Sequence, residues 1–66
     1  MTVKELRKFA DDCWFQIVVW NEEKEECEIL YDQSMTHNDI PQFFENQKVE
    51  AFGIDSLTRL WVEIAT

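Results

Sequence analysis

The sequence predicts a small α+β domain, ordered α-β-β-α-β-β, with helices packed on one face of a single antiparallel sheet. Three observations lead there. Residues 13–20 (Cys-Trp-Phe-Gln-Ile-Val-Val-Trp) form the longest nearly unbroken apolar run, and its aromatic and β-branched content is that of a strand buried at least in part on both faces. Val3, Leu6, Phe9, Ala10 and Cys13 recur at three- and four-residue steps, the period of an amphipathic helix. Near the end of the chain, Leu60, Val62 and Ile64 alternate with Trp61 and Glu63, the period of a strand.

Residues 1–66 are expected to make one domain. A chain this short buries only about 60% of its unfolded surface, which implies modest stability. No apolar run approaches the length of a membrane span and no signal-peptide core is visible, so the protein is expected to stay in the cytoplasm where it is made.

The first helix is expected from Met1 to Ala10. Thr2 and Glu5 have the spacing of a capping box, and Asp11 and Asp12 sit where the helix dipole disfavours anions. Strand one follows from Trp14 to Trp20. Residues 21–26 (Asn-Glu-Glu-Lys-Glu-Glu) form the turn, with Asn21 the residue that best tolerates a positive φ. Strand two runs from Cys27 to Asp32. Setting Val19 opposite Cys27, Ile17 opposite Ile29 and Phe15 opposite Tyr31 makes one hairpin face apolar. It leaves Cys13 and Cys27 too far apart along the ladder to bridge, and both thiols are read as free and buried.

Gln33 to Asn38 is a polar connection, and Asn38 or Asp39 caps a short second helix with Pro41 in its first turn. Two further strands, Lys48 to Ile54 and Leu57 to Ile64, are joined at Gly53-Ile54-Asp55-Ser56.

Alternation along strand one has a consequence for function. With Phe15, Ile17 and Val19 toward the helices, Trp14, Gln16, Val18 and Trp20 point away, joined by Leu30 and Trp61 and fringed by Glu28, Asp32 and Glu63. Exposed apolar patches and tryptophans mark interaction surfaces. The bland alternative is that the indoles lie over neighbouring side chains and complete a small core. A homodimer through the same face is a second alternative.

Charge narrows the partner. The net charge is −8. Residues 1–8 carry Lys4, Arg7 and Lys8 against Glu5, leaving +2; the remaining three bases face thirteen acids, leaving −10. Direct nucleic-acid binding needs a basic footprint, and anionic membranes are disfavoured for the same reason, so neither is expected. A basic protein surface suits the charge. Glu22, Glu23, Glu25, Glu26 and Glu28 form the densest acid cluster. On an extended strand alternate carboxylates stand about 6.6 Å apart, comparable to successive phosphates, so the cluster could occupy the basic groove of a nucleic-acid-binding protein; its simpler role is a solvated hairpin tip that blocks edge aggregation.

Catalytic, metal and cofactor chemistry is not expected. His37 is the only histidine, and with Asp39 it falls short of the ligands zinc needs. Ser34 and Ser56 lie outside any nucleophile elbow, and one glycine cannot build a phosphate cradle.

The opening Met1-Thr2-Val3-Lys4-Glu5-Leu6, the hairpin, Asn38-Asp39-Ile40-Pro41, Lys48-Val49 and the closing Leu60-Trp61-Val62-Glu63-Ile64 resemble small open reading frames of phages and prophages of Gram-positive bacteria. Some small acidic phage proteins are anti-CRISPR inhibitors that imitate DNA, and the resemblance implies that role as one expectation. The residues expected to bind the partner are Trp20 and Trp61 as apolar anchors and Glu22, Glu23, Glu25, Glu26 and Glu28 for electrostatic steering.

Overall fold

The structure is a computed structural model and describes residues 1–65. It contains a four-stranded mixed sheet and three short helices. Helix α1 spans Val3–Phe9, shorter at both ends than the period suggested. Thr2 caps it: the Glu5 amide donates to Thr2 Oγ1 at 3.3 Å, and the Thr2 amide donates to Glu5 Oε1 at 3.0 Å. The Thr2 backbone and hydroxyl hydrogen bonds hold the Glu5 carboxyl below its ordinary pKa. Strand β1 is Trp14–Asn21 and β2 is Glu26–Asp32. The expected polar connection after β2 begins with a four-residue helix, α2, Gln33–Thr36. Asp32 caps it, accepting from the Ser34 amide at 3.0 Å. Helix α3 is Gln42–Glu45, strand β3 is Val49–Ser56 and strand β4 is Arg59–Ile64.

The strand order is β2-β1-β4-β3. Both expected hairpins form, but β1 and β4 pair in parallel, so the sheet is mixed, not antiparallel. The two hairpins meet through their inner strands, and the segment from α2 to α3 supplies the crossover that a parallel pair requires. The inner strands bury the most: Phe15, Ile17, Leu60, Val62 and Ile64 join Val3 and Leu6 of α1 and Ile40 and Phe44 at α3 in one core.

Several local expectations are corrected. A β-bulge between Ile17 and Val18 shifts the hairpin, so Ile17 faces Tyr31, Val19 faces Glu28 and Trp20 faces Cys27. The bulge absorbs Leu30 and keeps Tyr31 on the core side, where it packs against the cluster. Cys27 is consequently exposed, while Cys13 is half-buried; both are free. Burial raises the Cys13 thiol pKa, and Asp12 adds to it. The positive φ of the hairpin falls on Glu25, at 52°, and not on Asn21; Asn21 instead accepts the Lys24 amide through Oδ1 at 3.2 Å. Neither Asn38 nor Asp39 caps α3, whose N-terminal flank is Pro41 with no side-chain cap. Phe9 lies off the buried stripe, exposed to solvent.

Gly53, where the expected third strand overlaps the expected turn, sits inside β3, opposite Trp61. A Cβ there would meet the Trp61 indole at 2.8 Å. Glycine is therefore required by a close approach of side chain to backbone, the other reason a strand holds one.

Gln33 ties the layers together. It is fully buried, and its Oε1 accepts from the Phe15 amide at 3.1 Å and from Arg7 at 2.8 Å. The Arg7 guanidinium also lies over the Phe15 ring, 5.8 Å from its centroid. One amide side chain thus connects α1, β1 and α2.

Candidate functional site

The sheet face turned from α1 and α3 carries Trp14, Gln16, Val18 and Trp20 from β1, Trp61 and Glu63 from β4, and Ile29 and Asp32 from β2, by cross-strand pairing. Val18 is 4% exposed, so this face is packed along its middle. The tryptophans have separate environments. Trp14 stacks on His37 with centroids 5.1 Å apart. Trp61 is half-buried against Gly53. Trp20 is 44% exposed at the far end of β1.

Trp20 opens onto the acidic loop. Val19, Trp20, Asn21, Glu22, Glu23 and Glu28 line a shallow concavity of about 490 Å³. Glu22, Glu23, Glu25 and Glu26 are exposed, and Glu28 is half-buried. Glu28 Oε1 accepts from Asn21 Nδ2 at 2.6 Å and lies 3.8 Å from Lys24 Nζ. That bonding holds one carboxylate against the concavity while its neighbours project freely. The structure brings Trp20, Glu22, Glu23 and Glu28 together. Glu25 and Glu26 stand on the same loop and strand start, outside the lining.

Trp61 is placed elsewhere. It pairs with Gln16, four residues before Trp20 along β1, so about 13 Å of strand separates the two positions. An aromatic face beside clustered carboxylates can take a guanidinium or ammonium group by cation–π contact and charge-assisted hydrogen bonds.

At the opposite end of this face runs a polar row that sequence reasoning missed. Asp32 Oδ2 accepts from Gln16 Nε2 at 3.1 Å and from Arg59 at 3.0 Å; Asp32 Oδ1 accepts from the Ser34 hydroxyl at 2.5 Å. Arg59 also pairs with Asp55. The row crosses all four strands. Burial alone would raise the Asp32 carboxyl pKa, but hydrogen bonds from Ser34 and Gln16 and the Arg59 charge outweigh it and hold the pKa low. Bonding to Asp55 and the charges of Asp55 and Asp32 raise Arg59 against its own desolvation. The pattern has no local sequence signal, because Asp32 and Arg59 are 27 residues apart.

No protein family, curated protein or solved structure matches the chain. Among the described residues, no three His, Cys, Asp or Glu side chains are grouped so as to hold a metal ion, and no helix is long and apolar enough to cross a membrane.

Proposed function

We propose that this protein is a non-enzymatic binding module that engages a basic protein surface through the Trp20 corner and its glutamates. The observation that carries this reading is Trp20, 44% exposed at the end of β1, lining one concavity with Glu22, Glu23 and Glu28. An arginine or lysine side chain of the partner would lie against the indole, with its charge met by the carboxylates. Glu25 and Glu26 would extend the negative field and speed encounter. Trp61, on the same face but more deeply packed, would contact the partner only if the interface spreads along the sheet.

A basic surface of this kind is the groove of a nucleic-acid-binding protein, and the proposal extends to an inhibitor that fills such a groove. The phage-protein resemblance agrees with that extension, as does the balance of −10 outside residues 1–8.

Titration of an arginine-rich peptide, followed by Trp fluorescence, tests the reading. Binding should weaken steeply between about 0.05 and 0.5 M salt, and should be lost in Trp20→Ala and in the Glu22→Gln/Glu23→Gln double variant. Affinity unchanged across that salt range would eliminate the nucleic-acid-mimic form. Binding untouched by Trp20→Ala would remove the site.

A further inference from the structure

The second unusual surface lies on the other side of the sheet and at its other edge. Strand β3 is an edge strand of eight residues. On it Phe52 is 48% and Ile54 79% exposed. Both point to the helix side, since they pair with the core residues Val62 and Leu60. They are exposed because the helices do not reach them. Helix α3 flanks α1 on its Lys4 and Arg7 side, and Arg7 also reaches Gln33 of α2. The β3 side of α1 is left bare.

Phe9 belongs to that bare side. It is 85% exposed, and at about 100° per residue it lies some 200° round the helix from Arg7. Leu57, in the turn after β3, is fully exposed. Four large apolar side chains therefore border the β3 edge beyond Val49, whose own amide is taken up by the Met1 carbonyl at 2.8 Å. Natural sheets protect such edges with charges, prolines or bulges. The β2 edge has Glu26, Glu28, Asp32 and a bulge. The β3 edge has bulges only near its ends, and Ala51-Phe52-Gly53-Ile54 between them carries no charge.

We infer that the β3 edge pairs antiparallel with β3 of a second copy of this chain, giving a two-fold dimer with a continuous eight-stranded sheet. The sequence of the edge is complementary to itself. With Gly53 opposite Gly53 of the second copy, Phe52 meets Ile54 in both directions, Ala51 meets Asp55 and Glu50 meets Ser56. No carboxylate faces a carboxylate. Shifting by one residue in one direction sets Glu50 opposite Asp55, like charges in a directly opposed pair, which destabilises; shifting in the other sets Phe52 opposite Asp55. Each apolar border then covers the other, and the contact is isologous.

Charge also selects this edge over the rest of the surface. The acid-rich hairpin hangs on β2, three strand spacings away, about 14 Å. That exceeds the Debye length of about 8 Å at physiological salt, so the hairpin carboxylates oppose this contact little, while Glu50 and Asp55 of β3 itself meet Ser56 and Ala51 of the second copy. A contact through the Trp20 corner would bring the two clusters together.

Sedimentation equilibrium of the full chain over a concentration series tests the proposal. A single edge contact is a small interface, so the expected dimer dissociates at micromolar concentration, on the order of 10 µM. The mass should rise from 8.0 kDa toward twice that value. Ile54→Lys should keep the mass at 8.0 kDa at every concentration, with the far-UV spectrum and cooperative melt of the parent; Phe52→Lys should do the same. Trp20→Ala should dimerise like the parent, and Ile54→Lys should still bind the arginine-rich peptide, which separates this surface from the proposed binding corner. A parent that stays monomeric up to about 1 mM, an Ile54→Lys variant that still dimerises, or a dimer abolished by Trp20→Ala would each overturn the inference.

Discussion

Replacing Gly53 with alanine isolates the fit between β3 and Trp61. An ideal Cβ at residue 53 lies 2.8 Å from the indole Cζ2 and Nε1 and 2.9 Å from Cε2. Carbon atoms pack at about 3.5–4.0 Å, so the ring must lift by more than half an ångström. These are atoms of a rigid fused ring, and they cannot yield separately. Overpacking of this kind costs about 1–3 kcal/mol. Against it stands the gain from restricting an unfolded glycine, about 0.4–1 kcal/mol. The net expectation is a loss of about 0.5–2 kcal/mol, read by urea denaturation with far-UV detection. The decisive measurement is the same change in a Trp61→Leu background. Without the ring, alanine should stabilise, so the sign of the effect should reverse. If Gly53→Ala destabilises both backgrounds equally, Trp61 is not why residue 53 is glycine.

Other outcomes follow from single contacts. Gln33→Met keeps the shape of a fully buried side chain but leaves the Phe15 amide without its acceptor; it should cost about 1–3 kcal/mol in denaturation, and Gln33→Glu, which keeps an acceptor beside Arg7, should cost less. Asp32 has a pKa below its ordinary value, so its stabilisation is present at neutral pH and lost as pH falls below about 4 and through the folded-state pKa. Asp32→Asn should therefore be less stable than the parent at pH 7, by about 1–2 kcal/mol, and thermal melts of the two should converge in acid. Glu25→Gly relieves a φ of 52° and should stabilise the hairpin by about 0.5–1 kcal/mol; a lower melting temperature would contradict that.

The legible parts of this sequence were those with a local period or a local cap. The Thr2/Glu5 box, the odd positions Phe15 and Ile17, and the alternation of Leu60, Val62 and Ile64 all depend on neighbours within a few residues. What failed depended on partners far along the chain. The parallel pairing of β1 with β4 is invisible to periodicity, because two hairpins can join through either pair of strands. Gly53 followed by Ile-Asp-Ser has the composition of a turn, and only the indole arriving from β4 gives it another purpose. The hairpin bulge moved Cys27 to the surface, since one inserted residue reverses the faces of everything beyond it. At the candidate site, exposed Trp20 and the loop glutamates followed from alternation and composition, but Glu28, expected on the tryptophan face, pairs with Val19 and so falls on the other one. The Asp32–Arg59 row did not, because it assembles only when the crossover sets β4 beside β1.

The two proposed surfaces, taken together, have a geometric consequence. In a dimer joined at β3, both β2 strands become the outer edges of eight strands. The Trp20 corners lie on the β1 strands, five spacings or about 24 Å apart across the sheet, and each stands about 13 Å along its strand from the two-fold at Gly53, in opposite directions, so they are roughly 35 Å apart before sheet twist is counted. Dimeric proteins that read DNA place their recognition elements about 34–36 Å apart. A two-fold dimer carrying one Trp20 corner at each end would therefore meet both basic surfaces of such a partner at once. Two arginine-rich peptides on a rigid spacer of about that length test this. The parent should bind the paired peptide about 100-fold or more tightly than the single one. Ile54→Lys should bind the two with similar affinity per peptide, because one corner cannot be bridged to another. If the parent shows no such gain while still dimerising, the corners are not oriented to act together.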